Sequence, residues 1–299
     1  MLLVRLALPV LLARFDLGLH EIPVDDVISH FGREFTILSL ENAMHPYINL
    51  FGRNIGTYGL CMVAGFSLAV LLSLQKGKPK GLTMEDLLIV GAFALGFALL
   101  GGSLLYVFVT YSLVQIWEFV QQGNFDFLSG GIVFYGGLIG GAAGALVGIR
   151  VAGCKFELIE RSVVPFIPLG HAVGRIGCVM AGCCYGFAYD GPFALHYPNA
   201  ASGLSPDQGY FPVQPLEALI NVGICLFLLR YEKKMKRATN LLFAYLGLYA
   251  VSRFFLEMLR GDEIRGAWHT VSTSQIISIL LLIVSIVGFC WGKRSKAEM

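Results

Sequence analysis

Apolar residues dominate seven stretches of the chain, at about 55–74, 87–110, 131–150, 161–181, 213–230, 240–259 and 273–291. Each is close to the ~20 residues that a helix needs to cross a bilayer. The pattern predicts an all-α polytopic membrane protein with seven transmembrane helices. The segment 182–212, rich in Gly, Pro, Asn and Ser, is too long for a simple turn and predicts a small external subdomain.

Polar residues interrupt this pattern most sharply in LLFAYLGLYAVSRFFLEMLRGD, which carries Tyr249, Arg253, Glu257 and Arg260. Offsets of 4, 8 and 11 put all four on one face of a helix. An ionisable side chain in mid-membrane costs at least ~2.5 kcal/mol on insertion scales, so the stripe must face protein, water or a polar ligand.

The charges between the stretches set a direction. Lys76, Lys78 and Lys80 follow the first stretch; Arg150, Lys155 and Arg161 surround the turn after the third; Lys233, Lys234, Lys236 and Arg237 follow the fifth; Lys293, Arg294 and Lys296 close the chain. Connections 112–130 and 182–212 contain neither Lys nor Arg. The positive-inside rule then predicts the N-terminus outside and the C-terminus in the cytoplasm. Under that topology Tyr58, Tyr135, Arg175 and the stripe from Tyr249 to Arg260 reach similar depth, around a polar cavity opening towards the outer leaflet.

Composition agrees with the membrane reading. Of 299 residues, 56% are hydrophobic and only 14% charged, with a mean hydropathy of +0.69; soluble proteins carry about 25% charged residues. The formal charge of +2 is uninformative, and no basic tract is long enough for nucleic acid as a partner. Residues 1–43 read as an N-terminal extension: MLLVRLALPVLLAR is too short for a span and lacks a small-residue cleavage site, and Met44 is the natural start of a 44–299 membrane domain.

Two arginines and a glutamate facing a cavity suit an anion, because a guanidinium fork matches phosphate bidentately. A membrane supplies phosphate as lipid headgroups. Glycine-rich runs such as GGIVFYGGLIGGAAG permit close helix packing or close approach of backbone to a ligand.

Taken together, the segments resemble the prolipoprotein diacylglyceryl transferase family, a class of membrane enzymes with seven spans, over about residues 44–292. MHPYINLFGRNIGTYGL resembles the family's start, with Tyr58 at its tyrosine. GGIVFYGGLIGG resembles a glycine-flanked histidine segment, and GRIGCVMAGCCYG resembles a GRxGN signature. FPVQPLEAL keeps Pro212, Gln214 and Glu217 of another family segment, and YAVSRFFLEMLRGD supplies Tyr249, Arg253, Glu257 and Arg260. The chain departs from the family where Tyr135 stands for a histidine, Cys178 and Ala181 for asparagines, and Cys183 for a glutamate.

The resemblance implies transfer of the diacylglyceryl group from phosphatidylglycerol to the lipobox cysteine thiol of lipoprotein precursors. A thioether would form and glycerol phosphate depart, in the bacterial inner membrane, without a cofactor or metal. It points to Arg175 and Arg253 on the phosphate, Arg260 as an outer contact, and Glu257 orienting Arg253 or accepting a proton. Tyr58, Gln214, Glu217 and Tyr249 complete the substrate-binding set. For the general base, Tyr135 and His171, one helical turn before Arg175, both stay open.

Plainer readings stand beside these. Arg253 and Glu257 form an intramembrane ion pair, Arg175 snorkels, Tyr58 and Tyr135 join an aromatic belt, and His171 is an interface histidine. Cys178, Cys183 and Cys184 are packing residues, a metal or disulfide cluster, or the core of a thiol-redox protein. Other activities compatible with the pattern are a family paralogue with another lipid donor or acceptor, and a transporter or flippase of anionic lipid.

Overall fold

The computed structural model describes residues 45–50, 53–131, 133–198, 204–234, 239–261, 267–268 and 271–294. The expected extension 1–43 lies outside them. A short hairpin, β1 (Tyr47–Leu50) with β2 (Arg53–Gly56), leads into α1 (Thr57–Gly77). There follow α2 (Met84–Thr110), α3 (Leu113–Gln121), α4 (Phe134–Val151), α5 (Phe156–Val163) and α6 (Ile167–Ala181). The chain continues through α7 (Val213–Glu232), α8 (Thr239–Glu257), the two-residue strands β3 (Ala267–Trp268) and β4 (Val271–Ser272), and α9 (Thr273–Arg294).

Among the described residues, five helical stretches are long and apolar enough to cross a membrane: Thr57–Lys80, Met84–Thr110, Phe156–Ala181, Val213–Glu232 and Thr273–Cys290. The protein is thus mostly helical and multi-pass. Of the two remaining predicted spans, α4 is apolar but shorter, and α8 carries Arg253 and Glu257. The stretch predicted as one span at 161–181 is two helices joined by a 3₁₀ turn at Val164–Phe166. Pro165 and Pro168 remove backbone donors there, which interrupts the helical ladder without ending the crossing. α3, not anticipated from the pattern, is capped by Ser112 and Gln115 and exposes Leu113, Val114 and Trp117.

Outward faces are apolar, as lipid requires: Val63, Phe66, Leu88, Leu95, Ile283 and Val287 are exposed. Helix contacts rely on small residues. A Cβ at Gly136 or Gly140 of α4 would meet the carbonyl oxygen of Gly101 or Phe97 of α2, so these two helices touch backbone to backbone. The same device joins α1 to α6: a Cβ at Gly65 would lie 2.6 Å from the Gly170 oxygen, and one at Gly177 2.8 Å from Cys61 Cβ.

Charged pairs close one end of the bundle. Lys76 pairs with Glu232, Lys80 Nζ lies 3.7 Å from it, and Glu160 accepts the Leu242 amide at 2.9 Å. At the other end the starts of α1, α4, α7 and α9 meet the ends of α6 and α8.

The segment after α6 folds over that end. Within its described parts, Tyr189 N donates to Gly209 O, Phe211 N to Phe187 O, and Leu195 and Tyr210 exchange both backbone bonds. Leu195, Tyr197 and Tyr210 form its small core. Phe187 N donates to Leu259 O and Gly261 N to Tyr185 O, which fastens the segment to the end of α8.

Candidate active site

α6, α7 and α8 each bring a charged residue to one point. Arg175 of α6 directs Nη2 at Glu217 Oε1 of α7, 2.8 Å away. Glu217 Oε2 lies 3.9 Å from Arg253 Nη1 of α8, and Arg253 Nη2 pairs with Glu257 Oε2 at 2.6 Å. Glu217, with its side chain 3% exposed, therefore stands between two guanidiniums.

Each placement has a local cause. Arg253 and Glu257 are four residues apart on one helix, so they face each other. Arg175 reaches α7 because α6 packs against both α1 and α7, and Gly174 and Gly177 leave room for Met62 and Cys61 of α1. Four formal charges, two of each sign, offset one another in a region that would reject an unpaired ion.

Neutral groups complete the arrangement. Arg175 Nε donates to His171 Nε2 at 3.2 Å, and that nitrogen is 3.6 Å from Glu217 Oε1. The His171 ring lies 5.7 Å from that of Tyr249, centroid to centroid. Ser274, at the start of α9, stands 3.4 Å from both the Tyr135 hydroxyl and Arg253 Nη2. Tyr135, His171, Arg175, Glu217, Tyr249, Arg253 and Glu257 thus form one connected group.

The remaining expected residues lie at its margin. Tyr58 is 44% exposed, and its backbone at the start of α1 lies against Gly177. Gln214 is buried and donates to the Cys183 carbonyl at 2.9 Å and to Tyr197 Oη at 2.8 Å, so it holds the loop after α6. Arg260 does not share the helical face of Tyr249, Arg253 and Glu257. α8 stops at Glu257, and a turn carries Arg260 to a backbone bridge with Gly186. Its place on the stripe is lost because the backbone pairs with the covering segment instead of continuing the helix.

Three participants went unrecognised in the sequence. Ser274 carries no signal beyond the polar start of a span. Asn221, buried and bonded at 2.8 Å to the Glu217 carbonyl, continues a line with Gln214 and Glu217 at spacings of 3 and 4, which was readable. Tyr197 sits in an irregular segment with no periodicity to mark it.

Cys178, Cys183 and Cys184 come together beside this group, their Sγ atoms all within 4.8 Å of one another. Arg175 Nη1 is 3.9 Å from Cys178 Sγ. Hydrogen bonds from Cys178 and Cys183, followed by the Arg260 charge, hold the Cys184 thiol below its usual range. No disulfide joins the described cysteines.

These features define a multi-pass membrane protein with a buried arginine and carboxylate site under a folded loop. Residues 46–291 match the family described as prolipoprotein diacylglyceryl transferase, and the chain belongs to that family of transferases. It is 35% identical over 243 residues to phosphatidylglycerol–prolipoprotein diacylglyceryl transferase 2 of Clostridium perfringens, covering 80% of this chain and 91% of that one. The similarly named protein of Clostridium tetani is 31% identical over 249 residues, covering 82% and 97%. That of Clostridioides difficile is 27% identical over 251 residues, covering 83% and 95%.

Proposed function

We propose that this protein transfers the diacylglyceryl group of phosphatidylglycerol to the lipobox cysteine of lipoprotein precursors. The observation that carries the reading is the convergence of Arg175 and Arg253, from separate helices, on Glu217. A phosphodiester headgroup entering here meets two guanidiniums already held in place. The thiolate attacks the glycerol carbon next to the phosphate, the S–C bond forms, and the C–O bond breaks. Glycerol phosphate leaves with the bonding pair and gains negative charge, which Arg175 and Arg253 offset without reorganising.

Glu217 and Glu257 orient the two arginines, and Tyr249 and His171 wall the site. Tyr58, Gln214 and Arg260 border the approach of the peptide, past segment 182–212. In this reading the domain is 44–299, and α4 and α8 complete seven spans. The inner membrane holds the protein with its N-terminus outside and C-terminus in the cytoplasm. The positive charges near Lys76, Lys155 and Lys233 support that orientation.

The test is transfer of labelled diacylglyceryl from phosphatidylglycerol, by purified protein, to a lipobox peptide and to the same peptide with serine for cysteine. Cysteine-dependent thioether product is expected. Folded, lipid-bound protein that makes none refutes the reading and directs the search to another acceptor.

A further inference from the structure

Three sulfurs stand beside the ion network without a part in the steps above. Cys178 lies in the last turn of α6; Gly182 then takes a left-handed conformation at φ 67°, and Cys184 does so at φ 59°. This reversal returns two thiols to the first, all three sulfurs lying within 4.8 Å of one another. Gln214 holds the loop from α7 by its bond to the Cys183 carbonyl.

We propose that Cys178, Cys183 and Cys184 bind one soft divalent cation of the zinc class, leaving a fourth coordination position for the acceptor thiol. A Zn–S bond of ~2.3 Å puts the sulfurs of a tetrahedral site about 3.8 Å apart, so the cluster need close by at most about 1 Å. Thiolate donors select zinc-class ions over magnesium or calcium. Three thiolates around a divalent ion carry one net negative charge. Arg175, 3.9 Å from Cys178 Sγ, and the Arg260 charge acting on Cys184 offset it.

Among the described residues, no fourth His, Cys, Asp or Glu joins the cluster. Three protein ligands with one open position is the arrangement of catalytic zinc, whereas structural zinc is closed by four. The fourth-ligand part rests on the transferase reading. A thiol bound to the ion releases its proton to solvent. Its sulfur then forms the S–C bond as the C–O bond to phosphate breaks, and the electron pair leaves with glycerol phosphate. Cys178 and Cys183 stand where the family resemblance implies asparagine and glutamate, so the metal supplies thiol activation at the positions where this chain departs. Neither Tyr135 nor His171 is then required as a base.

The full chain, purified with its thiols reduced into phosphatidylglycerol nanodiscs, is assayed for zinc and, after cobalt exchange, for a thiolate-to-cobalt charge-transfer band. About one metal per chain is expected. Cys183→Ser and Cys184→Ser lower metal affinity at least about tenfold with unchanged circular dichroism, and Cys290→Ser retains it. Adding the cysteine lipobox peptide raises the cobalt band by about one third, as three thiolates become four, and the serine peptide does not. Reduced, folded protein that binds neither zinc nor cobalt overturns the site. Metal binding without the peptide-dependent rise overturns the fourth position. Transfer is followed in the same samples: its absence with intact metal binding and a peptide response counts against the phosphatidylglycerol reaction and leaves the site standing.

Discussion

Glu217 is the residue whose loss separates structure from chemistry most cleanly. Glu217→Gln keeps the shape of a residue that is 2% exposed and removes the charge that Arg175 meets at 2.8 Å. Arg253 keeps Glu257 at 2.6 Å, so the penalty falls on Arg175, which among the described residues retains His171 and Cys178 as side-chain partners. Breaking one side of a buried pair costs about 3–5 kcal/mol. At about 2–4 °C per kcal/mol for a chain of this size, the unfolding midpoint should fall on the order of 10 °C. A bound anion restores part of this: occupancy at about 100 times Kd contributes ~2.7 kcal/mol. Thermal unfolding in nanodiscs should therefore show a larger drop in phosphatidylcholine than in phosphatidylglycerol. The double variant Arg175→Met with Glu217→Gln should regain stability, because no unpaired ion remains, while transferring nothing. A single variant that unfolds with the wild-type midpoint in both lipids would show that Glu217 does not hold Arg175, and the reasoning fails.

Other outcomes follow from the same geometry. Arg175→Ala and Arg253→Lys should each abolish or nearly abolish transfer in folded protein, since a lysine cannot reproduce a bidentate fork; full activity in either refutes the phosphate assignment. Ser274→Ala should reduce turnover by roughly fivefold, about 1 kcal/mol, because its hydroxyl links Tyr135 to Arg253 only through 3.4 Å contacts. Gly140→Val should lower the unfolding midpoint by forcing apart α2 and α4, whereas Gly96→Ala, with open space at its Cβ, should not. Cysteines introduced at Lys155 and Phe193 should label from opposite sides of the membrane, Phe193 from outside in intact cells. The reverse pattern would invert the proposed orientation.

The proposed metal site changes how the departures from the family are understood. Read singly, Cys178 and Cys183 look like lost polar ligands for the substrate. Gathered with Cys184 next to Arg175, they form a donor set that an asparagine and a glutamate would not provide. A substitution that removes one chemistry can thus supply another, provided the backbone reverses where it does at Gly182.

Local pattern determined much of this protein. Apolar length predicted five of the crossings found among the described residues, because lipid leaves a spanning helix few alternatives, and α1, α2, α7 and α9 begin and end close to the expected positions. The Arg253–Glu257 pair and the His171–Arg175 bond were readable too, since each joins residues four apart on one helix. What the sequence could not determine depends on contacts between helices distant in the chain. Glu217 becomes the shared partner of Arg175 and Arg253 only when α6, α7 and α8 pack together, and Ser274 joins Tyr135 to Arg253 across 139 and 21 residues of chain. Arg260 leaves its helical face because the covering segment claims its backbone. The three sulfurs meet because two residues beyond the helix adopt left-handed conformations, a choice set by local steric freedom at Gly182 and by the tertiary anchoring of the loop at Cys183.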